Sequence, residues 1–223
     1  MIRIVTPILF SGTLFTNYAL GINRNKEVSD KFHLWVTPPG YFFAIWGIIY
    51  TGLISMVIYN FFKNVWTLKT HFWFGVSNIL NILWTIVFDI GSLKSVFVAS
   101  FILFGITFSI FMTWVEMGNI SFRKINILTY IMRNIWAFYL GWCIAASNLN
   151  FGIDIVYWWG FSNKTQLIIF WILAPLCAIG GFAYNYFKYG KYGVWSCFCL
   201  WFSVTWAFIG AAITSNKCLS GKC

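Results

Sequence analysis

Charge is scarce in this sequence: 9% of its 223 residues are Asp, Glu, Lys or Arg, against about 25% in soluble domains. Acids are scarcest, five against fifteen Lys and Arg. They fall in loops or near helix ends, so Asp154 reads as interfacial, and the buried acids and bases of an ion path are missing. There is no Ser-His-Asp set, no paired carboxylate and no glycine loop suited to phosphate. The two histidines, His33 and His71, have no partner at metal-ligand spacing and read as solvated residues at helix ends. No catalytic class is therefore expected, and no metal. The basic residues are spread thinly, which excludes a nucleic-acid face and makes anionic headgroups their natural partner.

Cysteines are few and poorly placed for chemistry. Cys143, Cys177, Cys197 and Cys199 lie in apolar segments and read as small buried hydrophobes. Cys218 and Cys223 stand in the polar tail KCLSGKC, where an oxidising compartment would allow a disulfide.

What remains is apolar and aromatic. The chain is 60% hydrophobic and 22% aromatic, with mean hydropathy +0.77. This implies an all-α integral membrane protein with about seven spans, placed at 4–22, 38–62, 71–90, 93–115, 131–157, 166–187 and 192–215. Runs near 20 residues match a hydrocarbon core of about 30 Å. The first run is long for a signal sequence and lacks a small-x-small cleavage site, so a retained helix is expected. Residues 23–34 read as a polar loop, a bend is expected near Gly152, and Pro175 should kink the sixth span. The side of the N-terminus holds eight Lys and Arg and the other side seven. That balance sets no orientation.

The stretch with the densest information is WVTPPGYFFAIWGIIYTGL, residues 35–53. Trp35 suits the headgroup level. Thr37 can cap a helix, with Pro38 at its first position. Beyond Pro39, the residues Phe43, Trp46 and Tyr50 recur at helical spacing on one face. In the third span Asn78, Asn81, Thr85 and Phe88 share a stripe. An amide there must face protein, water or ligand. In the fifth span Tyr139, Trp142, Ala146 and Asn150 form a second stripe, and Gly141 and Ala145 a small-xxx-small pair. If Phe43/Trp46/Tyr50, Asn81/Trp84 and Tyr139/Trp142/Asn150 converge, they make an aromatic box with a few amides. A flat apolar ligand with polar edges suits such a box. Plain packing and interhelical hydrogen bonds are the other reading of the same stripes.

Three of these segments resemble the translocator protein family, the tryptophan-rich sensory proteins. The family's loop-to-helix motif is matched by Trp35, Pro38, Pro39, Gly40, Phe43, Trp46 and Tyr50. Its third-helix motif is matched by Leu80, Asn81, Trp84 and Phe88. Its fifth-helix motif is matched by Tyr139, Leu140, Trp142, Ala146, Leu149 and Asn150. Tyr41 and Phe138 depart from it, and one extra residue separates Trp35 from the proline pair. The resemblance covers about residues 4–150. It implies a five-helix bundle over residues 1–157, with two additional helices and a polar tail over 158–223. It also implies a pocket closed by the first loop, holding porphyrin, haem or a sterol-like ligand, with no covalently held cofactor. Trp35, Pro39, Phe43, Trp46, Tyr50, Asn81, Trp84, Tyr139, Trp142 and Asn150 would line that pocket. Bound lipids and a homodimer are expected partners. The alternative is a structural accessory subunit of a large membrane assembly, such as a respiratory complex. A mitochondrial membrane is the expected location, with a bacterial inner membrane as the other choice.

Overall fold

The computed structural model describes residues 2–121, 127–195 and 197–222. They form helices α1 (Ile2–Phe15), α2 (Ile22–Lys31), α3 (Ile45–Lys63), α4 (Leu68–Asp89), α5 (Leu93–Ser121), α6 (Ile127–Ile153), α7 (Asn163–Trp195) and α8 (Phe198–Leu219). No strand occurs among the described residues. Among the described residues, five helical stretches are long and apolar enough to cross a membrane: Gly40–Lys63, Leu68–Asp89, Leu93–Asn119, Asn163–Gly190 and Phe198–Leu219. A sixth is a bent pair, Arg3–Ala19 with Arg24–Lys31, at 62°. The expected seven are thus supported in five straight spans and one broken one, and α6 falls outside this set.

The first run is broken because Thr16–Gly21 widen into a π-helical turn. Thr16 and Asn17 there bond back to carbonyls of the preceding turn. The chain then swings into α2, where a loop is expected from the sequence. Val28 is buried against the bundle, while the pairs Arg24–Glu27 and Lys26–Asp30 face outward. Charges at i,i+3 and i,i+4 support such a short surface helix.

The packing order differs from the chain order. Helix α1 packs on α4, α4 on α5, α5 on α6, α6 on α3, and α3 returns to α1. This closes a five-membered ring. Inside it Phe10 meets Phe74 at 5.5 Å, and Phe74 meets Trp136 edge-on at 4.9 Å. Helix α8 packs on α6, and α7 on both. Beyond its exposed first turns, which carry Ile127 and Ile131, helix α6 is therefore enclosed, with Trp136, Ala137, Leu140, Trp142 and Ala145 at 1% exposure or less. Gly141 makes the α6–α8 approach possible: a Cβ there would run into the Leu200 carbonyl and the Ser203 hydroxyl.

Several local expectations are corrected. His71 is buried, not solvated. The Trp66 N–H donates to Asn60 Oδ1 at 2.8 Å, which turns the Asn60 amide nitrogen toward His71 Nε2 at 3.3 Å. His71 Nδ1 then donates to Thr6 Oγ1 at 2.8 Å. One ring ties α1, α3 and α4, with both nitrogens occupied. Asp154 is also buried, because it opens a π-helical turn (Asp154–Trp158) that faces Ser100 of α5. The departure from α-helical geometry comes there, two residues after the bend expected at Gly152. Gly152 itself is a close-approach site, where a Cβ would strike Gln166 of α7. Pro175 lies within α7, as expected, and a break comes farther along at Gly190, which leaves helical geometry at φ +61°. Thr37 does not cap a helix. Its hydroxyl accepts from the Leu34 N–H, and the following turn, Gly40–Ala44, is 3-10 with Pro39 before it. Cys177 is exposed, unlike Cys143 and Cys197. Cys218 is disulfide-bonded, and Cys223 lies outside the described residues.

Candidate functional site

Three segments deliver the aromatic residues to one place. The Gly40–Ala44 turn and the first turns of α3 carry Phe43, Trp46 and Tyr50. Trp46 stacks on Tyr50 at 5.2 Å, as residues four apart on one helix can. Across the gap, α6 presents Tyr139 and Trp142, both almost fully buried. Trp46 meets each of them edge-on at 6.1 Å, and Phe43 meets Trp142 edge-on at 5.8 Å. These are favourable aromatic arrangements. They also mean that the rings fill much of the space between the helices themselves.

The amide side comes from α1 and α4. Asn17 donates through Nδ2 to Asn81 Oδ1 at 2.6 Å. With its oxygen thus engaged, Asn81 turns its nitrogen toward the Tyr139 hydroxyl, which also interacts with Cys143 and Tyr50. One turn earlier Thr13 donates to Asn78 Oδ1 at 2.8 Å. Thus Asn78 and Asn81 both serve as interhelical hydrogen-bond partners, and Asn81 additionally joins the aromatic cluster. Asn17 is the contributor that the sequence alone did not single out. Its signal was weak: one amide in an otherwise apolar run.

The remaining candidates stand at the edges. Trp84 stacks on Phe88 at 5.0 Å and packs against the buried clusters at both ends of the bundle. Asn150 is buried on α6, two turns beyond Trp142. Trp35 is half-buried between the buried Leu34 and Val36, and its backbone N–H points to Asn163 Oδ1 at 3.4 Å. Among the described residues no ring contact joins it to the cluster. Pro39 is half-buried, and its carbonyl accepts from the Phe42 N–H at 2.9 Å.

The loop is held from an unexpected direction. Trp206 of α8 donates through Nε1 to the Phe42 carbonyl at 3.0 Å, and the two rings pack at 4.7 Å. Gly210 lies beneath, where a Cβ would come within 2.7 Å of Pro38. The stripe of small residues Ser203, Ala207, Gly210, Ala211 and Thr214 on α8 was the available signal, and it was masked by an apolar run.

The polar inventory of the interior is unbalanced. Among the described residues, Tyr50 Oη, Trp84 Nε1, Trp142 Nε1 and Asn150 Nδ2 are buried without a hydrogen-bond partner, as are the indole nitrogens of Trp66, Trp114 and Trp136 elsewhere in the interior. Each of the first four belongs to one of the three stripes. All are N–H or O–H groups able to donate, and an unmet buried donor costs about 1–3 kcal/mol. The arrangement can therefore accept a ligand whose edge carries oxygen or another acceptor. Among the described residues no group of three His, Cys, Asp or Glu could hold a metal ion.

A family model described as TSPO-like protein matches residues 3–219, so the match runs through α7 and α8 as well as the ring. No curated protein and no solved structure matches the chain.

Proposed function

Because the chain belongs to the TSPO-like family, we infer that this integral membrane protein binds a flat apolar ligand with an acceptor-bearing edge between α3, α4 and α6. A tetrapyrrole such as porphyrin or haem, or a sterol-like lipid, has that character. The observation that carries this reading is the set of four buried donors without partners, beside rings that converge from separate helices. Trp46, Tyr139 and Trp142 would supply the apolar faces. Tyr50, Trp84, Trp142 and Asn150 would meet the polar edge. The role is binding, without a chemical step. The loop from Trp35 to Pro39 would act as the closure, held in place by α8.

Protoporphyrin titration of the purified protein, read by quenching of tryptophan fluorescence, tests this. Trp46→Ala and Trp142→Ala should each weaken the apparent affinity about tenfold, since a desolvated aromatic anchor is worth roughly 1.5 kcal/mol or more. Unchanged affinity in both variants would remove the site from consideration.

A second reading is supported by the mutual packing of the same rings. If they fill the box, the chain serves as an accessory subunit of a larger membrane assembly, with a respiratory complex of the mitochondrial membrane as the example. The broad apolar face of α7 would then be available to partners. The particle released by mild detergent separates the two. A monomer or homodimer supports the ligand-binding reading, and a large particle of fixed partners supports the subunit reading.

A further inference from the structure

A groove of about 460 Å³ opens at the break between α1 and α2, lined by Ala19, Arg24, Ile86, Asp89 and Ile90. It is a shallow depression open along one side, not an enclosed cavity. It combines two opposite charges with an apolar wall. Arg24 is pinned there: its Nε donates to the Asp89 carbonyl at 3.1 Å and one terminal nitrogen donates to Glu27 at 3.0 Å. Its Nη2 makes neither bond. Asp89 is different. Its carboxylate lies in the field of the Arg24 guanidinium but closes no ion pair with it, and among the described residues its Oδ1 is buried without a hydrogen-bond partner.

The groove sits at a recognisable depth. Tyr18, next to Ala19, is 79% exposed, and Tyr41, Trp158 and Trp159 are exposed at the same end of the bundle. Exposed Tyr and Trp mark the headgroup level. Below the groove Ile86, Leu83 and Ile79 continue as an exposed apolar track along α4 toward the membrane centre. A ligand fitting this place has a phosphate for Arg24, a cation for Asp89 and hydrocarbon for the isoleucines.

We propose that this groove binds the phosphoethanolamine headgroup of a membrane lipid, with its acyl chains lying along α4. The primary ammonium donates charge-assisted hydrogen bonds to the Asp89 carboxylate. A choline headgroup has no N–H to offer, and a glycerol headgroup has no positive charge. The arginine alone would favour any phospholipid, so the selectivity comes from Asp89.

Native mass spectrometry of the full chain tests this, with dioleoyl-phosphatidylethanolamine, -phosphatidylcholine and -phosphatidylglycerol at equal concentration. The wild type should retain the ethanolamine lipid about tenfold or more over the other two, the worth of one charge-assisted hydrogen bond. Asp89→Asn should abolish that preference, with phosphatidylglycerol retention unchanged or raised because a negative charge is removed. Arg24→Gln should lower retention of all three, whereas Lys26→Gln, on the outer face of α2, should change none. Equal retention of the three lipids by the wild type, or an Asp89→Asn variant that keeps its preference, would overturn the proposal. So would retention of soluble glycerophosphoethanolamine as tight as that of the lipid.

Discussion

Helices α6 and α7 are neighbours of opposite character. Helix α7 looks like a membrane span, with a mean hydropathy of 2.1 in its most apolar stretch within Asn163–Gly190 and only 17% of that stretch buried. Helix α6 carries Trp, Tyr, Asn and a buried Arg133, and its most apolar stretch is less apolar than that of α7. Yet α6 is the centre of the protein and α7 lies at its margin. The difference follows from what each helix touches. A helix facing lipid must be apolar, because nothing in hydrocarbon can satisfy a polar group. A helix enclosed by protein can carry polar groups, because its neighbours can supply partners, as Thr107 of α5 does for the Ser147 hydroxyl of α6 at 2.7 Å. Hydropathy here reports exposure to lipid more than structural importance.

The contrast is sharpest at its glycines. Gly141→Leu should drive α6 and α8 apart against a backbone carbonyl, costing about 3 kcal/mol or more. Little monodisperse protein should then elute in size-exclusion chromatography. Gly180→Leu, on α7 where a Cβ meets nothing within 4 Å, should behave as wild type or gain up to about 1 kcal/mol from helix propensity. A normally folded Gly141→Leu would break the picture of α6 as an enclosed helix. The tryptophans offer the next test. Trp136→Ala empties a site of 0% exposure and should lower stability by about 3–5 kcal/mol. Trp171→Ala, 38% exposed on α7, should cost about 1 kcal/mol through its contact with Phe208. Both are readable from thermal unfolding in detergent. The smallest effect belongs to the amides. Asn81→Leu should cost about 1–2 kcal/mol. Combined with Asn17→Leu it should be less than additive, since the two share one hydrogen bond. Full additivity would mean that Asn81 acts through Tyr139 alone.

The aromatic and amide stripes were legible in the sequence because helical periodicity is a local property. Asn78, Asn81, Thr85 and Phe88 are all buried, as an inward stripe requires. What periodicity cannot carry is the identity of the neighbour. It does not say that Asn81 meets Asn17, or that Gly141 faces Leu200. His71 and Asp154 were misread for a related reason. Each stands near a helix end, where water is the default partner. In the fold other segments arrive there instead: Asn60 and Thr6 at His71, and Ser100 at Asp154. The break after Phe15 was also hidden, because a π-helical turn has the same composition as the α-helix it interrupts. Helix α2 escaped notice for lack of apolar residues, Val28 being its buried anchor.

The bond from Trp206 to the Phe42 carbonyl spans 164 residues, and this has a bearing on how the protein is made. A chain emerging from the ribosome inserts its early helices long before its last one. Until α8 is synthesised, the Pro38–Pro39 segment has neither the indole that holds its carbonyl nor the Gly210 surface on which it rests. The nascent bundle therefore waits in the membrane with this loop unfastened. A ribosome halted before residue 206 should leave that loop open to a membrane-impermeant protease, and release of the finished chain should close it.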